Sequence, residues 1–232
     1  METTKEKIVI LCGGKGTRLK PVTESIPKPL VKLNGKSVLE YIMNLCASQG
    51  FKEFVVCTGY KAEMIETAVE EFKKDNWQIE FSNAGEEATM LERIRTAAEL
   101  CGERFFVCYG DTVADVSLKN LVQLHEKNNA LITNVLYQMQ SPFGIVETKD
   151  NKVISFKEKP LLPAWVNVGY FVFEKAALSI TKNNDWVAFL EETVKTDRFF
   201  AEKHGGEHIT FNTEKEKEEA EKKINVFSYV FE

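Results

Sequence analysis

Residues Ile8-Val9-Ile10-Leu11 pass directly into Cys12-Gly13-Gly14-Lys15-Gly16-Thr17-Arg18-Leu19, and Pro27-Lys28-Pro29 begins shortly after. A short aliphatic run that ends in glycines reads as a buried strand followed by a tight turn. Glycines let backbone N–H groups approach an anion closely and aim several donors at one point. Lys15, Arg18 and Lys28 supply mobile positive charge, and Arg18 can grip phosphate oxygens bidentately. The stretch therefore reads as a strand feeding a phosphate-binding loop. Its spacing is neither GxxxxGK[ST], since Gly14 leads to Leu19-Lys20, nor GxGxxG. A glycine turn carrying incidental surface lysines is the plain alternative, and the length of the string together with Lys28 weighs against it.

Outward from this loop, strand and helix patterns alternate. Ser37-Val38-Leu39-Glu40 has the form of a capping box, and Val38, Ile42, Leu45 and Cys46 give the following helix one apolar stripe that ends at Gly50. Strands are expected at 54–58, 78–82 and 105–109, with helices marked by Met64, Ile65, Ala68, Val69 and Phe72 and by the segment 91–100. Alternation of this kind predicts an α/β protein, a Rossmann-like three-layer α/β/α arrangement about a mostly parallel, mixed sheet. The second half is richer in strand patterns, at 131–137, 143–147, 152–156 and 166–173, and is expected to add a small β-rich part. One domain over 1–232 is expected, with halves 1–128 and 129–232.

Gly110-Asp111-Thr112-Val113-Ala114-Asp115 forms an acidic turn at the carboxyl end of the strand 105–109, the end of an open α/β sheet where ligands bind. Asp111 is placed to hold a magnesium ion against phosphates, because hard cations share carboxylate and phosphate oxygens. Asp115 instead suits the start of the helix that Ser117 opens.

The 232 residues carry a net charge of −5, with 30 Lys+Arg against 35 Asp+Glu, so bulk attraction to nucleic acid is not expected. Five cysteines, without a CxxC pair, fit reduced thiols in a cytoplasmic protein. The few apolar residues before Gly13 are too short for a signal peptide or a membrane span. His125, His204 and His208 stand apart in the sequence and form no nucleophile–base pattern, so they read as surface or structural.

The string GGxGTRL followed by a PKP-type lysine closely resembles the signature of the sugar-1-phosphate nucleotidyltransferases, the nucleoside-diphosphate-sugar pyrophosphorylases. The resemblance implies that Leu11, Gly13, Gly14, Lys15, Gly16 and Thr17 wrap the nucleotide triphosphate. It also implies that Arg18 holds the leaving pyrophosphate, that Lys28 touches the reacting phosphate and that Asp111 binds Mg2+. Cys57-Thr58-Gly59-Tyr60-Lys61, the pair Gly85 and Arg93, and Tyr109-Gly110-Asp111-Thr112-Val113-Ala114-Asp115 are similar to CCGYK, TGxxxxTGGRL and YGDGVAD of the glucose-1-phosphate cytidylyltransferases. Gly85, Arg93 and Gly110 join the nucleotide set on that basis, although Met90, Leu91 and Glu92 replace a threonine and two glycines of the relatives. In the second half, Phe143-Gly144, Phe156-Lys157-Glu158-Lys159-Pro160 and Asn167-Val168-Gly169 resemble acceptor elements. They imply Gly144, Glu158, Lys159, Asn167 and Gly169 as acceptor contacts. Asn212 stands where relatives carry a second metal aspartate, and an amide oxygen can ligate magnesium but brings no charge. Thr213 and Glu216 form a second capping box that opens a charged helix to Lys223, and 225–231 reads as a strand or a docking tail.

The chemistry expected of such parts is nucleotidyl transfer. A phosphate monoester, with a second pKa of about 6, is largely ionised near neutral pH and needs no general base to attack the α-phosphorus. Positioning and charge neutralisation suffice. The resemblance implies CTP and a small phosphorylated acceptor, a sugar 1-phosphate, as partners, with a CDP-activated product for surface polysaccharide synthesis. A non-sugar phosphate such as phosphocholine or a phosphorylated amino-acid amide is the alternative acceptor, and a catalytically silent nucleotide-sensing subunit the alternative class. Self-association stays open.

Overall fold

The computed structural model describes residues 6–19 and 21–231, and the side chain of Arg18 lies outside that description. The first half runs β1 (Ile8–Leu11), α1 (Val22–Ser25), β2 (Lys32–Leu33), β3 (Lys36–Ser37), α2 (Val38–Ser48), β4 (Glu53–Thr58), α3 (Ala62–Phe72), β5 (Gln78–Asn83), α4 (Met90–Ala98) and β6 (Arg104–Tyr109). It continues through β7 (Val113–Ala114), α5 (Leu118–Lys127), β8 (Ile132–Gln140), β9 (Ile145–Lys149), β10 (Lys152–Lys157) and β11 (Leu161–Glu174). The chain closes with α6 (Trp186–Val194), β12 (Phe199–His204), β13 (His208–Ile209), α7 (Glu214–Lys223) and a 3-10 segment, Ile224–Phe231.

Seven strands form one sheet in the order β12-β8-β11-β6-β1-β4-β5. All neighbouring pairs are parallel except those made by β11, which runs antiparallel to both β6 and β8. The sheet is thus mostly parallel and mixed, and strands from both halves of the chain share it. The continuous apolar runs of β1, β4 and β6 follow from burial on both faces. Ile8, Ile10, Phe54, Val56 and Phe106 point to one face, where Ile42, Ile65, Val69 and Leu121 of α2, α3 and α5 cover them. Val9, Val55, Phe105 and Val107 point to the other, beneath Leu91 and Ile94 of α4 and Phe189 of α6. Three layers result, as expected of a Rossmann-like α/β/α protein.

Parallel alignment sets the carboxyl ends of three central strands side by side. Leu11 ends β1 in register with Cys57 of β4 on one flank and Tyr109 of β6 on the other. The phosphate-type loop, Gly59 and the Asp111 turn therefore leave the sheet at one edge. All five cysteines are free, four of them buried, and burial pushes the Cys57 thiol up to about 12 and Cys101 up to about 11.

Several local expectations are corrected. Ser37 does cap α2 by accepting from Glu40 N, but the Glu40 carboxylate pairs with Lys36, so the reciprocal half of that box is missing. Thr213 likewise accepts from Glu216 N, while Glu216 takes the N–H of Asn212, one residue before the cap. A complete capping box occurs at Thr89 and Glu92, opening α4. The 225–231 segment is a 3-10 turn series and not a strand, and it docks as a tail through Phe227, with Phe231 edge-on to Tyr41 at 5.0 Å. No helix among the described residues is long and apolar enough to cross a membrane.

Candidate active site

The loop after β1 lines a cavity of about 460 Å³ with Leu11, Gly13, Gly14, Lys15 and Gly16, closed on its other sides by Lys28, Glu86, Glu87, Met90, Arg93, Tyr109 and Asp111. Thr17 opens a 3-10 turn, Thr17–Leu19, and is not among the described residues that line the cavity, while the expected role of Arg18 rests on a side chain outside the described structure. Leu11 belongs here because β1 ends at the cavity floor.

Arg93 explains why Gly13 is a glycine. Its guanidinium, 5% exposed on the first turn of α4, donates to the carbonyls of Thr58 and Glu86 at 2.8 and 2.9 Å. A Cβ on Gly13 would stand only 2.3 Å from Arg93 Nη1. Backbone and guanidinium can share that space only if the loop residue has no side chain. Arg93 thus clamps three chain segments, the loop, the end of β4 and the Glu86 turn. Burial pulls its pKa down and outweighs the opposing influence of Cys57 and Glu92. The neighbouring turn supplies Lys15 with counter-charges: its ammonium lies 2.5 Å from Glu87 and 3.5 Å from Glu86 at the solvent edge. Gly85 shapes this turn but does not line the cavity.

A second cavity, about 320 Å³, adjoins the first, and Tyr109 and Asp111 line both. Asn167, His208, Thr210 and Asn212 are among its other walls. Lys28 marks the junction. Held by the turn between its flanking prolines and 6% exposed, it donates from Nζ to Asp111 Oδ2 at 2.7 Å and to Asn212 Oδ1 at 3.3 Å. Two oxygens from residues 101 apart in sequence therefore converge on one positive centre.

The Asp111 turn is held rigidly. Tyr170 Oη donates to Thr112 O at 2.9 Å, Thr210 Oγ1 to Asp111 O at 3.2 Å, and the β7–β13 ladder pairs Ala114 with His208 and Val113 with Ile209. Asp115 is the last pin, accepting from Glu207 N at 2.7 Å and facing His204 Nε2 at 3.0 Å. It does not sit at the helix start, because Ser117 itself accepts from Asn120 N to cap α5.

The expected acceptor residues divide. Asn167 reaches the second cavity, donating to Tyr109 Oη at 3.4 Å and accepting from Gly169 N at 2.8 Å. Gly169 lies behind it: φ is +81° and a Cβ would meet the Tyr109 ring at 2.2 Å, so glycine here seats the ring that both cavities share. Gly110 similarly packs against the end of β1, outside either lining. Gly144, Glu158 and Lys159 lie together on the exposed β9–β10 arm and line neither cavity.

His204 and His208, at the end of β12 and the start of β13, both face Tyr137 here. The rings of His204 and His208 lie 6.2 and 4.8 Å from that of Tyr137, and burial, reinforced by His204, pulls His208 down to about 4. Sequence reasoning also misses Tyr109, Met90, Glu87 and Thr210 as cavity walls. For Tyr109 a signal exists, since it ends a buried strand just before Asp111.

A family profile described as nucleotidyl transferase matches residues 7–212. The chain belongs to that family. It is a nucleotidyltransferase of the sugar-phosphate class. It is 30% identical over 82% of its length to "Probable glucose-1-phosphate cytidylyltransferase" of Bacillus subtilis, covering 83% of that protein. A UTP–glucose-1-phosphate uridylyltransferase of Synechocystis is 32% identical over 72% of the chain, which covers 49% of that relative. Among solved structures, HddC from Yersinia pseudotuberculosis superposes with a TM-score of 0.75 at 23% identity, covering 94% of this chain and 99% of the other.

Proposed function

We propose that this nucleotidyltransferase joins CTP to a sugar 1-phosphate, giving a CDP-sugar and pyrophosphate in a magnesium-dependent reaction. The observation that carries the reading is the pair of adjoining cavities with Asp111 and Tyr109 in common and Lys28 at their junction. A nucleotide in the first cavity and an acceptor phosphate in the second would meet there.

In this reading the N–H groups around Gly13 and Gly14, with Lys15 and Arg18, hold the β- and γ-phosphates and take up the charge that develops on departing pyrophosphate. Lys28 orients the α-phosphate. An oxygen of the acceptor phosphate attacks the α-phosphorus as the bond to the β-phosphate oxygen breaks. Asn167 holds the acceptor, and Tyr109, seated on Gly169, separates the two substrates. Glu158 and Lys159 would contact the acceptor phosphate from the arm. The first half of the domain thus serves the nucleotide and the second the acceptor.

The donor set at the junction fits one hard cation. Asp111 Oδ2 and Asn212 Oδ1 already converge on the ammonium of Lys28. Among the described residues no cluster of three or more His, Cys, Asp or Glu could hold a metal, so phosphate oxygens and water would complete the shell. Magnesium bound there neutralises charge on the nucleotide phosphates.

CTP is favoured over UTP or GTP by the Cys57–Lys61 and Tyr109–Asp115 strings. Met90 lines the first cavity and not the second, so the departure at Met90-Leu91-Glu92 bears on the base and gives a non-sugar acceptor no support. Retained Lys28 and Asp111 argue against a silent subunit. Pyrophosphate release with each of CTP, UTP, GTP and dTTP, against hexose 1-phosphates and phosphocholine, tests the assignment, and faster turnover with phosphocholine than with any hexose 1-phosphate overturns it. Asn212→Asp should lower the magnesium concentration for half-maximal rate. An unchanged titration places residue 212 outside the metal shell.

A further inference from the structure

We propose that His208 is an acceptor-recognition residue, its ring held against Tyr137 so that a free nitrogen meets an uncharged hydroxyl or amide group in the second cavity. The inference rests on the assignment of that cavity to the acceptor. Neither ring nitrogen of His208 has a hydrogen-bond partner among the described residues, and the side chain lines the cavity together with Asn167, Thr210 and Asn212. Its position is built in. The backbone is fixed opposite Ala114 in the β7–β13 ladder, and the ring lies 4.8 Å from the Tyr137 ring at an interplanar angle of 31°. Because the ladder also carries the Asp111 turn, the imidazole and the junction of the two cavities are parts of one rigid unit.

The surroundings select the kind of group recognised. Among the described residues the cavity wall has no lysine or arginine, and its one carboxylate, Asp111, lies at the end shared with the first cavity. His204 of β12, paired with Asp115, adds to the burial that holds His208 neutral. A neutral imidazole offers one donor and one acceptor nitrogen, which matches a hydroxyl that both gives and accepts. With no cation to balance it, a carboxylate or second phosphate at this end would be left unpaired. The chemistry therefore suits an acceptor whose body is uncharged and hydroxylated, and a site that hydrogen-bonds a hydroxyl discriminates against the analogue lacking it.

The test uses the full-length protein with CTP, α-D-glucose 1-phosphate and its monodeoxy analogues. His208→Phe keeps a planar ring against Tyr137 and removes both nitrogens. It should raise the KM for glucose 1-phosphate by about tenfold, the loss of one hydrogen bond of about 1.4 kcal/mol, while the KM for CTP changes less than twofold. His208→Gln should recover most of the loss. One monodeoxy analogue should be a poorer substrate for the wild-type enzyme by a similar factor, yet nearly equal to the parent sugar for His208→Phe. Equal KM values for wild type and His208→Phe overturn the inference. If His208→Phe fails to fold, the wild-type deoxy series decides alone, and turnover of every analogue within twofold of the parent overturns the inference. Absence of pyrophosphate release by the wild-type enzyme with any triphosphate and hexose 1-phosphate would instead remove the underlying assignment, and this inference with it.

Discussion

The two cavities that meet at Asp111 are built in opposite ways. On the side proposed for the nucleotide, Leu11, Gly13 and Arg93 grow directly out of buried strands and a buried helix, and the clamp from Arg93 to Thr58 makes that cavity an extension of the core. The side proposed for the acceptor gathers Asn167, His208 and Asn212 from a bulged strand, a two-residue ladder and a helix entry, with the exposed β9–β10 arm beyond them. A site fused to the core ties stability to function, whereas one assembled from peripheral pieces can change without loosening the fold.

The largest effect should come where the two sides touch. Asp111→Asn removes the shared carboxylate and the partner of Lys28, and should lower kcat/KM by about 10³-fold or more while far-ultraviolet dichroism is unchanged. A fall of less than tenfold would break the view that both halves work through this residue.

Arg93→Ala comes next. Loss of a buried guanidinium that satisfies two carbonyls should cost about 2–4 kcal/mol, and thermal unfolding should drop by about 5–12 °C. Binding of CTP should weaken with it. An unshifted melting curve would mean that the nucleotide side is not part of the core.

On the side proposed for the acceptor, Asn167→Ala should raise the acceptor KM by about tenfold and leave the melting temperature within about 2 °C, as befits an exposed contact. Lys159→Ala separates the arm from the cavity. If the arm reaches the acceptor phosphate, the acceptor KM rises and the CTP KM does not, and unchanged kinetics would confine recognition to the cavity walls.

The smallest effect is expected at Glu87, whose carboxylate meets Lys15 at the solvent edge. Glu87→Gln should lower the KM for CTP less than about threefold at low salt, with the difference vanishing near 1 M salt, because an exposed pair is screened. A salt-independent change would assign Glu87 a direct role at the base.

Legibility in the sequence follows the same division. The β1 loop and Asp111 are legible in the sequence because a buried parallel strand leaves a continuous apolar run that the glycines or the aspartate follow within a few residues, whereas Lys28 is marked only by its flanking prolines. Arg93 is readable as a site residue, but its inward posture is not, since nothing local tells a guanidinium that clamps two carbonyls from one that meets a ligand. Asp115 and Glu216 are misread as helix-terminal devices because capping patterns are local while their actual partners, His204 and the N–H of Glu207 for one, the N–H of Asn212 for the other, are chosen by packing or lie one residue off the expected position.

From the chain alone come the α/β class, the glycine loop after β1, the aspartate at the end of β6 and the family membership that these motifs imply. Short-range rules determine all of these, through strand burial, glycine freedom and charge spaced within one turn. Only tertiary structure decides that Asn212 meets Lys28, that Gly169 exists to seat Tyr109, and that His204 and His208 reach Tyr137, which lies on β8, far back in the chain. Each of those depends on which strands become neighbours, and strand order is set by the packing of the whole sheet, which no stretch of sequence contains by itself.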